Sequence, residues 1–441
     1  MSRQFDIIIY GCTGFTGKKV VKYLHDKHPS IKIALAGRDQ EKLSALAQSL
    51  GLPSTVGTFV APTPPKSTDY AAENHTDYQN LKSALSKADI VIACAGPFNR
   101  IGESIVSAAL DAKTHYLDIC GEPQFFDDML AKYDKRAQAN NTLILSACGF
   151  DSVPADLSAQ LAMRQCRQKY GKVTNLEIIH TFQNISCANP TTYHAAVDGF
   201  HSASKGDLKK SRENVKKELG IESAPKPPKS WPKIIEKPGT TPVYHKETNT
   251  YLLKFMGSDA SCVLATDRYL RYRNKNLPNP VEIDPHPNMS ISFGVDSKSN
   301  AYKVLGYGAV FSTLARFEAG CKILHSNPAL FTNNVFREGG PTEEEIAVGS
   351  FKTYCTAYGM DEKEAVKVVC SGPEPGYVAT PQIIVALALM IKNHKDEIQF
   401  NDGGVMVPGG AFGNSDTVYK VLSEEGIDIT VQTDSNSDDA V

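Results

Sequence analysis

An α/β fold, with an N-terminal doubly wound parallel sheet and a second α+β domain built on a mixed sheet, is predicted by three observations. Residues 5–10, FDIIIY, are an unbroken apolar run that leads straight into glycines spaced GxxGxxG at Gly11, Gly14 and Gly17. Apolar runs and helical patterns then alternate as far as residue 150. Beyond residue 155 strand-like runs continue without regular helices between them, the pattern of a mixed or antiparallel sheet.

The elements follow in order. Ile7, Ile8 and Ile9, without alternation, suit a strand buried on both faces, and Val20, Val21 and Leu24 recur at helical spacing. The glycines therefore sit at a strand-to-helix turn. IKIALAGR (31–38) reads as the second strand of a βαβ unit, and Asp39 as the N-cap of the helix QEKLSALAQSL. Residues 57–81, rich in Pro, Thr and Asn, read as a long loop. Alternation resumes with strands at 88–96, 115–122 and 142–150 separated by helices at 102–113 and 125–140, which completes a domain over residues 1–155. The second domain, residues 156–375, opens with a helix (156–171) and a strand (175–182) and holds further strands at 250–257, 289–297, 351–359 and 365–372. Residues 376–394 read as an apolar helix with Pro381 in its first turn, placed to complete the first domain. Residues 395–441 form a C-terminal segment whose acidic tail, TDSNSDDAV, is expected to be disordered.

A glycine turn between a parallel strand and a helix lets the backbone approach a pyrophosphate, while free N–H groups and the helix dipole stabilise its charge. This is the Rossmann arrangement, and it makes Gly11, Thr13, Gly14, Phe15, Thr16 and Gly17 the candidate cradle of a dinucleotide. At the end of the second strand, where an acid would bond the ribose 2′-hydroxyl, Gly37 and Arg38 stand instead. A guanidinium grips a 2′-phosphate with charge-assisted bonds, so NADP is expected rather than NAD. Ala95, Gly96 and Pro97, after the strand at 88–96, are small enough to let the ribose and nicotinamide lie against backbone.

Reduction by such a cofactor needs a proton donor within hydrogen-bond reach. Asp118 and Glu122, at the end of the strand at 115–122, Asp151, after the strand at 142–150, and Tyr377, after flexible glycines, are candidates; Asp151 and its neighbour Asp156 equally read as helix caps and fold anchors, and Asp118 and Glu122 as braces of a loop. His180 and His194 read as core or surface histidines, and Cys12, Cys94, Cys120 and Cys148 as small apolar residues packed near the crevice. The catalytic acid is not identifiable from spacing, and no SxxxYxxxK arrangement is present.

Composition narrows the classes. The 441 residues are 41% hydrophobic and 22% charged with a net charge of −2, ordinary for a globular protein and unsuited to a dedicated nucleic-acid binder. Ten cysteines without CxxC or His/Cys metal spacing read as reduced thiols, with no metal expected. The start MSRQFDIIIYG carries no secretory pattern, so an intracellular, cytoplasmic location is expected. Residues 304–324 are the apolar stretch best suited to a membrane surface, although Arg316, Glu318 and Lys322 interrupt it and a helix packed within or between subunits fits equally. The lysine-rich stretch 205–233 reads as a solvated helix, with an anionic lipid or carrier-bound substrate as the alternative.

The motifs GCTGFTG (11–17), AGR (36–38), CAGPF (94–98), YLDICGEPQF (116–125), GFDSVPAD (149–156), FMGSD (255–259), GPEPGYVATP (372–381) and GGVMVPGGAF (403–412) together resemble the saccharopine dehydrogenase-like oxidoreductases, in order over nearly the whole chain. Within that group the chain is more similar to the branch with trans-acting enoyl reductases and lipid-droplet members than to the lysine-pathway enzyme. The resemblance implies an NADP-dependent reductase with a Rossmann domain and a mixed α/β domain, with a homodimer among the assemblies it allows. The segment 57–81 is longer than the family pattern. The expected reaction is reduction of a C=C bond in a lipid or polyketide-derived intermediate, with two alternatives. Imine reduction of the saccharopine type would require cationic residues for substrate carboxylates. A lipid-droplet or membrane-associated protein would keep the cofactor fold without turnover.

Overall fold

The computed structural model describes residues 3–64, 75–222, 224–280 and 283–432. The tail 433–441, expected to be disordered, lies outside the described residues. The N-terminal half alternates strand and helix: β1 (Phe5–Tyr10), α1 (Phe15–Lys27), β2 (Ile33–Gly37), α2 (Gln40–Ser49), β3 (Gly57–Val60), α3 (Thr76–Leu85), β4 (Ala88–Ala93), α4 (Phe98–Ala112), β5 (His115–Asp118), α5 (Pro123–Ala139), β6 (Leu143–Leu145) and α6 (Ser152–Tyr170). There follow β7 (Asn175–Gln183), α7 (Pro190–Lys205), α8 (Asp207–Leu219), β8 (Val243–His245), β9 (Thr250–Lys254), α9 (Asp259–Lys275), β10 (Asn288–Val295), α10 (Lys298–Leu314), α11 (Glu318–Ser326), α12 (Pro328–Phe331) and α13 (Glu343–Val348). The chain ends with β11 (Ser350–Tyr358), β12 (Ala365–Pro373), α14 (Thr380–Asn393), β13 (Gly404–Met406), α15 (Pro408–Phe412), α16 (Thr417–Glu424) and β14 (Asp428–Val431).

The first sheet has the order β13-β6-β5-β4-β1-β2-β3 and every pairing in it is parallel. Strand order reverses between β1 and β4, so the crevice outside their carboxyl ends is the topological switch point. The three isoleucines of β1 are fully buried, as their unbroken run requires. The second sheet, β14-β12-β11-β7-β10-β9-β8, is antiparallel except for the parallel pair β7–β10. Helix α6 packs against β7, β11 and β12 of this sheet, and a single apolar core runs from the first sheet through α6 into the second.

Three features depart from the sequence reading. Residues 57–81 are not one loop: Gly57–Val60 pair with β2 as the edge strand and Thr76 starts α3, while residues 65–74 lie outside the described residues. The alternation Thr58–Phe59–Val60 was masked by the flanking prolines. The apolar stretch 304–324 is two helices, α10 and α11, broken at Ala315–Phe317. The C-terminal segment supplies an edge strand to each sheet, β13 beside β6 and β14 beside β12. Helix α14 is buried on all sides, from Ile383 to Ile391, and packs against α1, β4 and β5. The stretch Pro375–Asn393 is long and apolar enough to cross a membrane, yet 78% of it is inside the protein, which identifies it as a core helix.

Candidate functional site

The three glycines after β1 are required for three different reasons. Gly11 has φ +76°, and a Cβ there would stand 2.7 Å from Ala95 Cβ, so the turn after β1 is pressed against the segment after β4. At Gly17 a Cβ would meet Gly11 O at 2.4 Å, so its absence lets α1 close onto the turn. Gly14 is the N-cap of α1 and offers no capping side chain. The N–H groups of Phe15, Thr16 and Gly17 thus begin the helix without intrahelical acceptors, and a Cβ at Gly14 would crowd that open surface. This is a cradle suited to a pyrophosphate. Thr13 lies within the same turn.

Beyond the cradle, Arg38 is exposed after β2 and has no ion-pair partner among the described residues. Asp39 does not compete for it in that role, because its carboxylate accepts from Lys42 N at 3.1 Å and caps α2. Gly96 and Pro97 join through a cis peptide and lead into α4. These geometries fit a dinucleotide carrying a 2′-phosphate.

The candidate acids separate by what their oxygens touch. Asp118, fully buried, accepts from Cys120 N (2.9 Å), Ala147 N (3.0 Å) and Ser146 Oγ (2.9 Å), and so braces the ends of β5 and β6. Burial pushes its carboxyl up to about 6 against those bonds. Glu122 accepts from Phe98 N (2.8 Å) and Asn99 N (3.1 Å), capping α4 in place of the proline that precedes it. Asp156 accepts from Thr266 Oγ1 and Gly409 N, both at 2.8 Å, and ties α6 to α9 and α15. The Tyr377 hydroxyl accepts from Asn189 N at 2.6 Å, and its ring lies edge-on to Phe15 of the glycine turn, 4.7 Å between centroids. Burial raises its phenol to about 12.

Asp151 differs from all of these. It sits at the end of the β6 loop with φ +76° and ψ −78°, the rare γ-turn region that costs an L-residue about 1–3 kcal/mol. Its carboxylate has no hydrogen-bond partner among the described residues. Burial raises its carboxyl to about 7, with the Asp259 charge adding to the effect and His180 opposing it. Neighbouring β6 lies three strands from β1, about 14 Å, on the nicotinamide side of the switch point.

His180 and Asp259 form a buried pair that spacing could not reveal, because one comes from β7 and the other opens α9. His180 Nε2 and Asp259 Oδ2 are 2.7 Å apart, and His180 Nδ1 lies 2.8 Å from Thr353 Oγ1. The register of β10, β7 and β11 sets Phe293, His180 and Thr353 side by side on one face. Phe150, next to Asp151, packs its ring on His180, Phe182 and Phe351, and Phe255 continues the wall to Phe293. Phe182 and Met256 remain 36% and 58% exposed at its margin.

His194 lies elsewhere, with His325 Nδ1 at 2.9 Å from its own Nδ1, and His325 in turn meets Asp198, which also pairs with Arg100. Burial pushes the Cys12 thiol up to about 12 and the Cys94, Cys120 and Cys148 thiols higher still, so all four stay protonated. No cluster of three or more His, Cys, Asp or Glu suited to a metal occurs among the described residues. A cavity of about 330 Å³ lined by Tyr78, Lys82, Asp111 and Arg136 lies between α3 and the C-terminal parts of α4 and α5 and includes no residue of the glycine turn.

Residues 7–145 match the family described as saccharopine dehydrogenase NADP binding domain. The chain is 31% identical over 460 residues to a rat saccharopine dehydrogenase-like oxidoreductase, covering 98% of each. It is 28% identical to a Caenorhabditis elegans lipid droplet localized protein, covering 99% of this chain and all of the relative. A Mycobacterium tuberculosis protein named as a trans-acting enoyl reductase is 37% identical over 38% of this chain and 37% of its own length. The fold is similar to that of apo saccharopine dehydrogenase (L-Glu forming) from Saccharomyces cerevisiae, with a TM-score of 0.54 and 11% identity over 97% of this chain and all of that one.

Proposed function

We propose that this chain, which belongs to the saccharopine dehydrogenase-like oxidoreductases, reduces an electron-poor C=C bond of a lipid or polyketide-derived substrate with NADPH. The chain is an oxidoreductase with an NADP-binding domain. The N–H groups of Phe15, Thr16 and Gly17 would hold the pyrophosphate, with Thr13 in the same turn, Arg38 the 2′-phosphate, and Ala95, Gly96 and Pro97 the nicotinamide ribose. When bound, NADPH supplies a hydride from its nicotinamide.

The observation that carries the substrate class is the aromatic wall beside Asp151. Phe150, Phe182, Phe255, Phe293 and Met256 present hydrocarbon, which suits an acyl chain and gives nothing to the carboxylates of a saccharopine-type imine. Arg100, the cation at the start of α4, is already paired with Asp198 at 2.8 Å. The relative named as an enoyl reductase supports the same chemistry. NADPH oxidation against a panel of enoyl thioesters and α-keto acid–amine mixtures tests the reading. Turnover of the enoyl compounds is expected; turnover confined to the imine-forming mixtures would overturn it.

A second reading is favoured by α10, which buries only Ala301 and exposes Tyr302, Val304, Tyr307 and Val310. Such a helix suits attachment to a lipid surface, where an apolar substrate would be found, and the relative named for lipid-droplet localization supports it.

A further inference from the structure

We propose that Asp151 is the proton donor of the reduction and that Asp259, oriented by His180 and Thr353, is the positioning residue that keeps it an acid. The inference rests on the reading of the crevice as a site for NADPH and a reducible double bond.

Four observations converge on this pair of carboxylates. Asp151 stands after β6, on the nicotinamide side of the switch point, where ligands lie in open α/β sheets. Its strained backbone and wholly unpartnered carboxylate contrast with Asp118 and Glu122, each of which has both oxygens engaged, and with Asp156, whose Oδ2 is held by Thr266 and Gly409 while its Oδ1 has no partner. Asp259 is fully buried, and only its Oδ2 is satisfied, by His180; Oδ1 has no partner. A buried, unpartnered carboxylate oxygen is costly and is retained where it accepts a proton-bearing group. The titratable groups that face Asp151 are Asp259, His180 and Cys262, and those that face Asp259 also include Asp156.

Ser152 Oγ and Ser258 Oγ, 3.2 Å apart, bring the two acidic residues that adjoin them together, and of this pair Asp151 is the carboxyl with no hydrogen bond to hold a negative charge. Thr353, whose hydroxyl either donates or accepts, fixes the His180 ring so that Nε2 points at Asp259. In the reaction one C–H bond forms with the hydride of the cofactor, and the π pair of the double bond moves to the neighbouring carbon. That carbon forms its new C–H bond with the Asp151 proton, and the O–H bonding pair remains on the carboxylate. Asp151 is only partly buried and regains its proton from solvent, so each double bond consumes one NADPH and one proton.

The test uses the full chain and three variants, Asp151→Asn, Asp259→Asn and His180→Gln. Asparagine tolerates positive φ and removes no hydrogen bond at position 151. In ligand-free protein, infrared titration is expected to show protonated carboxyl absorption near neutral pH, from which Asp151→Asn removes one component and leaves those of Asp156 and Asp118. The midpoint of that component moves to lower pH in Asp259→Asn and to higher pH in His180→Gln, opposite shifts that a merely structural role would not produce. With an enoyl substrate, Asp151→Asn is expected to lower kcat roughly 10²–10⁴-fold while NADPH affinity changes less than about twofold. Carboxyl absorption identical in wild type and Asp151→Asn, or undiminished turnover by that variant, would overturn the proposal. Wild-type protein that binds NADPH but reduces no enoyl compound would instead overturn the reading of the substrate, and the infrared shifts would still decide on the carboxylate pair.

Discussion

We propose that cofactor choice turns on Arg38, which is exposed, without an ion-pair partner among the described residues, and placed at the end of β2, where the adenosine ribose is read in this fold. Arg38→Ala is expected to weaken NADPH binding at least tenfold and to leave NADH binding nearly unchanged, measured by fluorescence titration; equal losses for both would show that Arg38 does not read the phosphate. The strand-to-helix turn at the glycines and the place of Arg38 just after β2 were legible in the sequence because both follow from backbone conformation and position at a strand end. The acids were not. Asp118, Glu122, Asp151 and Asp156 look alike as letters after strands, and only their partners, Ala147 N, Phe98 N and Thr266 Oγ1 among them, separate braces from the one unpartnered carboxylate. His180 and Asp259 meet across 79 residues, and no local pattern announces such a pair.

Among the elements, the buried ones were the most readable. β1 and α14 are continuous apolar runs, and both lie in the core with α14 packed against β4. β3 escaped notice because four residues beside prolines carry little periodicity, and β13 and β14 because strands of three and four residues depend on the sheet edge that receives them. Helix α10 poses the functional question at this scale. Deleting 304–324 would remove Ala315, Cys321 and Leu324 from the small core they share with Tyr193 and Val197, so point changes on the exposed face are the cleaner probe. The double variant Val304→Glu/Val310→Glu is expected to lose at least half of its co-flotation with neutral phospholipid vesicles while keeping its melting temperature within about 2 °C. Equal flotation of both proteins would remove α10 from the account.

At the scale of the whole molecule, two sheets share one core and the crevice lies where the parallel sheet's strand ends face the aromatic face of the mixed sheet. That alternating strands and helices would give a parallel sheet and later strands a mixed one was readable from periodicity; which faces would meet was not, since packing of Phe150 on Phe351 joins residues 201 positions apart. Burying carboxyls at this junction has a consequence for stability. Asp151 and Asp156 are raised to about 7 and Asp118 to about 6, all chiefly by burial, so the folded chain holds these protons more tightly than the unfolded one. Their contribution is fully present below the unfolded value of 3.8 and is lost as pH rises through 6 to 7. His115, lowered to about 4 by burial, and His194, His245 and His286, lowered for the same reason, act oppositely and in the unfolded chain are still half protonated at 6.5, so they offset part of this loss until about pH 7.5. Relative to Asp151→Asn, in which the histidine contributions are the same, the wild-type melting temperature is therefore expected to fall by about 1 °C between pH 6.5 and 8.5; a constant or rising difference would contradict the burial argument. The most direct test of the account is a structure with NADPH and an unreactive enoyl analogue bound. It is expected to place the pyrophosphate on the N–H groups after Gly14, the 2′-phosphate on Arg38, and the double bond between the nicotinamide and Asp151 against Phe150 and Phe182. A nicotinamide turned away from the β6 end, or an analogue whose reacting carbons lie out of hydrogen-bond reach of Asp151, would contradict it.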